Sequence, residues 1–196
     1  MGSNVFIKDV DTKGYKTESA ETAIEQNIAG KPGKRIAIRA FGVVAGAGAA
    51  TDIYFMQTIG TTTLTAAGVS GNTTIEITSK SIIAGAAIAT SDNAVVLQDD
   101  GTYLFATVTL VTSLRMTLST ALTDGAAVGN MVYGIGINTD TGHNRYHLTS
   151  GQTVTKELDG GLFYAAAKGY PAIFQYDNAT SGAGYIQYVT IDYINK

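Results

Sequence analysis

Residues 94–118 read Ala94-Val95-Val96-Leu97-Gln98-Asp99-Asp100-Gly101-Thr102-Tyr103-Leu104-Phe105-Ala106-Thr107-Val108-Thr109-Leu110-Val111-Thr112-Ser113-Leu114-Arg115-Met116-Thr117-Leu118. Three runs with β-branched or alternating character, Ala94–Leu97, Tyr103–Leu110 and Arg115–Leu118, are separated by short turns, and Asp100-Gly101 is a strong hairpin signal. Working outward, the same pattern recurs at Arg35–Val44, Asp52–Gln57, Thr73–Thr78 and Met131–Ile137. It continues at Asn144–Leu148, Leu162–Ala165, Ala172–Tyr176 and Tyr185–Ile194. Gly, Asn, Asp, Ser and Thr fill the gaps, as at Ser70-Gly71-Asn72, Asp159-Gly160-Gly161 and Ser181-Gly182-Ala183-Gly184. Many short strands at near-regular spacing predict an all-β fold. We expect an antiparallel β-sandwich, jelly-roll-like, with a small inserted β-barrel and an extended N-terminal arm.

The hairpin succession within 81–136 is bounded by Ala/Gly-rich stretches and reads as the inserted barrel. Residues 35–80 and 137–196 then form the sandwich, its strands parted in sequence by the insert. Residues 1–34 are polar and charged and make the arm. Within the arm, Ser19 is an N-cap candidate, Gly30 a stop, and Ala20, Ala23, Ile24 and Ile28 a narrow apolar stripe, which predicts a short helix. So short a helix is marginal alone in water, so the arm is ordered by what it lies against, its own domain or a neighbouring subunit.

The chain has 196 residues, 45% of them hydrophobic, enough for a sizeable core, and no cysteine, which excludes disulfides, thiolate metal sites and a cysteine nucleophile. Its net charge of −3 is uneven: residues 1–40 carry seven basic and five acidic groups, residues 41–110 one and five, residues 111–196 five and six. That balance is not a nucleic-acid binder's. The exception is Lys31, Lys34, Arg35 and Arg39, with no acid among residues 31–39, which suits an acidic patch on a partner or simply flanks a strand as solvated charge. No basic start followed by an apolar stretch appears, nor an apolar run near 18 residues, so neither a signal peptide nor a membrane span is expected.

The catalytic candidates are weak. His143 and His147 stand four apart, but on a strand they lie about 13 Å from each other, too far for one metal. The glycine-rich stretch from Gly42 to Thr51 lacks the Gly-Lys-Ser/Thr of a phosphate loop and any following helix. Asp99 and Asp100, with Asp124, read as turn residues before they read as an acid–base pair or cation site. Asn138-Thr139-Asp140-Thr141-Gly142 spaces oxygen ligands like a partial calcium loop without the distal glutamate. No Gly-x-Ser-x-Gly elbow occurs. Neither a catalytic residue, a metal nor a cofactor is expected. Tyr164, Tyr170, Tyr176, Tyr185, Tyr188 and Tyr193 crowd the last third; most suit cross-strand packing, and Tyr170-Pro171, in a loop, is the candidate interface aromatic.

The strand, Asp-Asp-Gly-Thr turn and strand of residues 94–108, continued by Thr117-Leu118-Ser119-Thr120-Ala121-Leu122 and Ala126-Ala127-Val128-Gly129-Asn130, resembles a module of tailed-bacteriophage virion proteins. Gly160-Gly161-Leu162-Phe163, Ala167-Lys168-Gly169-Tyr170-Pro171 and the run from Asp177 to Ile194 look like the closing strands of such proteins. The resemblance covers roughly the last hundred residues. It implies a non-enzymatic virion component similar to capsid cement or decoration proteins, many of them trimers, on the capsid surface after assembly in the bacterial cytoplasm. The expected partners are a major capsid protein and further copies of the chain, with no membrane and no nucleic acid. Val5, Phe6 and Ile7 are the candidate apolar anchor, and Lys31, Lys34, Arg35 and Arg39 the candidate charge contacts. The rival readings are a head-fibre or tail adhesin that binds a surface glycan through exposed tyrosines, and a glycan hydrolase, disfavoured because glutamate is scarce beyond residue 30.

Overall fold

A computed structural model describes the backbone of residues 6–20, 24–44, 51–82, 86–137, 145–157, 163–164, 169–177 and 182–194. Side chains are described for residues 27–34, 36, 54, 56–82, 86–136, 147–153 and 169–173. Among these residues the chain is all-β, without a helix: β1 (Phe6–Ala20), β2 (Ile24–Ile28), β3 (Arg35–Val44), β4 (Thr51–Thr63), β5 (Thr74–Glu76), β6 (Asn93–Leu97) and β7 (Tyr103–Thr112) come first. They are followed by β8 (Arg115–Leu118), β9 (Met131–Ile137), β10 (Arg145–Leu148), β11 (Thr153–Glu157), β12 (Phe163–Tyr164), β13 (Ala172–Asp177) and β14 (Gly182–Ile194). Every register described is antiparallel. The chain divides into two units, Gln57–Gly136 and the remainder. The module expected at 81–136 lies inside the first, whose lower end is at Gln57 because the end of β4 and all of β5 pair within it.

In Gln57–Gly136 the ladder runs β4-β9-β6-β7-β8-β5. Its named strands form an open path. The two ends meet at one bridge, Leu64↔Ile77, where Thr65 N–H donates to Glu76 O (3.0 Å) and Thr78 N–H to Thr63 O (2.9 Å). The cluster inside includes Leu64, Ile77, Ile82, Ala94, Val96, Val108, Met116, Leu118, Leu122 and Val132, all buried. Strand alternation delivers these residues: β8 exposes Arg115, buries Met116, half-buries Thr117 and buries Leu118. On β7 the alternation breaks after Val108, because a register shift between Val108 and Leu110 puts Thr109 and Leu110 outside together. Central β6 is buried at Ala94, Val95 and Val96 in succession, which is why its sequence is continuously apolar.

The segment after β5 brings Ile82 into this core, and two glycines make room for it. A Cβ on Gly60 would overlap the Ile82 carbonyl oxygen, and one on Gly134 would stand 2.6 Å from it. Backbone passes over backbone at that point, and only a residue without a side chain fits beneath it.

In the remainder, one sheet has the order β1-β14-β3-β11, with β12 also on β3. Phe6 pairs with Ile194 and Thr17 with Gly184, so the first described strand lies against the last. β2 pairs with β13 from Ile28↔Ala172 to Ile24↔Tyr176, and β10 pairs with β4. The helix expected between Ser19 and Gly30 is a correction: Ser19 and Ala20 end β1, and residues 24–28 are strand. Asn27 is exposed while Ile28 is buried, the alternation of a strand. A segment too short to hold helix hydrogen bonds by itself satisfies its backbone on β13 instead.

Candidate functional site

Lys31 and Lys34 lie in the turn that leads into β3, closed by Lys34 N–H donating to Lys31 O at 3.0 Å. Lys31 is exposed and Lys34 half-buried. Arg35 begins β3 opposite Ile191, and Arg39 falls at the register shift between the Gln187↔Ala40 and Tyr188↔Ile38 pairs. The backbone positions of Arg35 and Arg39 follow the turn along β3, about 13 Å apart by strand rise. The Gly169–Pro171 loop comes to the same place: Gly169 N–H donates to Lys34 O at 2.7 Å. Tyr170 is half-buried there and Pro171 buried, immediately before β13. Two segments far apart in sequence, the basic turn and the loop that carries Tyr170, thus meet through a backbone bond.

The apolar anchor candidates are placed differently. Phe6 and Ile7 begin β1 and pair with Ile194 and Tyr193, so their backbone completes a ladder with the chain's own last strand. Val5 lies outside the described residues, as do His143, residues 45–50 of the glycine-rich stretch and the calcium-like stretch 138–142. His147 is exposed on β10.

The aspartates near the β6–β7 turn are consumed by structure. Asp100 Oδ1 accepts from the backbone N–H (2.8 Å) and hydroxyl (2.6 Å) of Thr102. These bonds, the hydroxyl foremost, hold its carboxyl below the usual carboxylate range. Gly101 closes the turn at φ +80°, a left-handed conformation that glycine adopts freely. Asp99 Oδ1 accepts from Ala127 N–H (2.8 Å) and the Asn130 amide (2.9 Å), fastening the turn to the 122–130 loop. Beside it Gln98, only 3% exposed, donates to the hydroxyls of Thr102 (2.8 Å) and Thr123 (2.9 Å). Its carbonyl accepts from the backbone N–H of Thr123 (2.8 Å) and Asp124 (3.0 Å). These bonds give one oxygen each of Asp99 and Asp100, and the whole amide of Gln98, a part in holding the turn. Sequence reasoning passed over Gln98; the signal was a lone amide ending an apolar strand just before a turn.

Two further features belong to Gln57–Gly136. Tyr103 and Tyr133 rings lie 6.0 Å apart, and desolvation pushes the Tyr103 phenol above its ordinary pKa, partly offset by its hydrogen bond with Tyr133. A recess of about 300 Å³ is lined by Glu76, Thr112, Ser113, Leu114 and Arg115, with Arg115 and Glu76 in an exposed ion pair of 2.8 Å. Among the described residues no group of three His, Cys, Asp or Glu could hold a metal ion, and no helix is long and apolar enough to cross a membrane.

No protein-family model matches the chain, and no curated protein does. Among solved structures, a complex of VP16 and VP17, the two major capsid proteins of bacteriophage P23-77, is 10% identical, with a TM-score of 0.25 over 95% of this chain and 100% of that one. VP17 of bacteriophage P23-77 is 8% identical, with a TM-score of 0.20 over 96% and 99%. A VP2 subviral particle of infectious bursal disease virus is 10% identical, with a TM-score of 0.17 over 97% of this chain and 43% of that chain. At these values no residue or role is carried across.

Proposed function

We propose that the chain is a non-enzymatic structural protein of a bacteriophage virion, a decoration protein that docks on the capsid and bridges neighbouring capsomers. The observation that carries this reading is the joining of the Lys31–Lys34 turn to the Tyr170 loop by the Gly169 N–H bond to Lys34 O. Lysines and a half-buried aromatic carried by two segments that meet suit a protein partner with acidic groups around an apolar centre. The all-β antiparallel frame and the resemblance of residues 94–133 to virion modules point the same way. Arg35 and Arg39 follow the turn along β3, and Val5, Phe6 and Ile7 supply the apolar end. A trimer on the capsid surface completes the reading.

The test is binding of the purified chain to phage heads that lack it, at low and high salt. The double charge reversal K31E/K34E should weaken binding by roughly tenfold or more at low salt, and raised salt should weaken the native chain similarly. Binding unchanged by both would overturn the docking surface. Binding to whole host cells or to arrayed glycans, with none to heads, would replace this reading with an adhesin.

A further inference from the structure

β1 and β2 both hold end positions: β1 lies outside β14 in the order β1-β14-β3-β11, and β2 lies outside β13. Among the described residues, the ladders of β1 and β2 are made along one side only, with β14 and with β13. The pairings of β14 with β3 and of β13 with β4 involve neither strand. Both edge strands are joined to the rest through one connection, Ala29–Lys34, in which Ala29, Lys31, Pro32 and Gly33 are exposed. Pro32 biases Lys31 toward an extended backbone, and the turn is closed by the single Lys34–Lys31 backbone bond. If this connection straightens, β1 and β2 can leave as one segment and dock in the same register on another copy. Every ladder bond is then remade, and Ile28, 2% exposed, enters an identical socket. The Lys34–Lys31 turn bond is given up, and the packing of Gly169 against Lys31 and Pro32 changes with it.

We infer that β1 and β2 exchange between copies of this chain, β1 of one adding to β14 of the next, so that the oligomer is held by swapped edge strands. The ladder bonds being equal in both forms, exchange is set by the turn contacts, by concentration and by closure of the ring, the situation in which domain swapping is a low-cost route to oligomers. The inference does not depend on the virion reading, since it is tested on the purified chain alone.

The chain has no cysteine, so introduced thiols report cleanly. Thr12 faces Val189 in the β1–β14 ladder. Facing antiparallel residues have Cα atoms about 4.5–5.5 Å apart, within disulfide reach. The single variants T12C and V189C, carrying different tags, are refolded together, concentrated and oxidised. The control is A40C with Q187C, a facing pair in the β3–β14 ladder that exchange leaves within one chain. Exchange predicts a covalent T12C–V189C heterodimer in roughly tenfold excess over any A40C–Q187C heterodimer. No T12C–V189C heterodimer, or equal amounts in both mixtures, would overturn the inference. The double variant T12C/V189C, oxidised within a single chain and staying monomeric, would do so as well.

Discussion

In Gln57–Gly136, three strands consecutive in sequence are consecutive in space, β6 with β7 and β7 with β8 across short turns, while β5 on β8 and β9 on β6 close longer loops, around an interior of buried side chains. In the remainder the partners are remote: Phe6 pairs with Ile194, Ile28 with Ala172 and Arg35 with Ile191. The first arrangement can start from small loops, whereas the second must bring the two ends of the chain together. Local hairpins thus specify part of Gln57–Gly136, and backbone pairing between more distant segments specifies the rest of the chain. The contact candidates all sit in the second region, where strands hold ladder edges and loops meet across the sequence.

The comparison is broken most forcefully at Gly60. Gly60→Ala places a methyl group on the Ile82 carbonyl oxygen, and should cost about 3 kcal/mol or more, since neither backbone can yield easily. Chemical denaturation would measure it, and hydrogen exchange should show lost protection in β6 and β7 with β1 and β14 little changed. An unaltered midpoint would mean that Ile82 is not held against Gly60. Next in size is Gln98→Ala, which removes a nearly buried amide from the part-buried N–H groups of Thr123 and Asp124 and should cost about 1 kcal/mol. A loss below the error of the measurement would show that water replaces the amide.

Effects no larger sharpen the same contrast. Ser113, in the β7–β8 turn, has φ +56°, so Ser113→Gly should raise stability by about 1 kcal/mol by relieving a left-handed backbone. A destabilised variant would mean that the serine side chain matters more than the strain. The least effect is at Asp100, whose folded pKa lies below its ordinary value near 3.8. Its contribution is fully present above the unfolded value and is lost as pH falls through the folded one. Asp100→Asn should therefore differ from the native chain above pH ~4 and converge with it in stronger acid. The same difference between the two chains in strong acid as at neutral pH would contradict that assignment.

The sequence was most informative where side chains decide. β3, β8 and β9 begin and end where β-branched and alternating residues predict. β1, with Lys8, Asp9, Asp11, Lys13 and Lys16 along it, carries no apolar period, and it is a strand because the β14 edge accepts its backbone. β11, Thr-Val-Thr-Lys-Glu, escaped for the same reason on the edge of β3. β2 was misread because its apolar residues fit a helix and a strand equally until β13 is present. Of the candidate site, the cations and Tyr170 could be chosen singly from their types and spacing. Their meeting could not, because it rests on a backbone bond between Gly169 and Lys34 that no side-chain pattern announces.

Cryo-electron microscopy of phage heads lacking the chain, incubated with the purified protein, tests the central claim most directly. The account predicts density at regular lattice positions on the capsid surface, with the Lys31–Lys34 turn and Tyr170 loop against the coat. Undecorated heads under conditions where the chain is folded and in excess would contradict it.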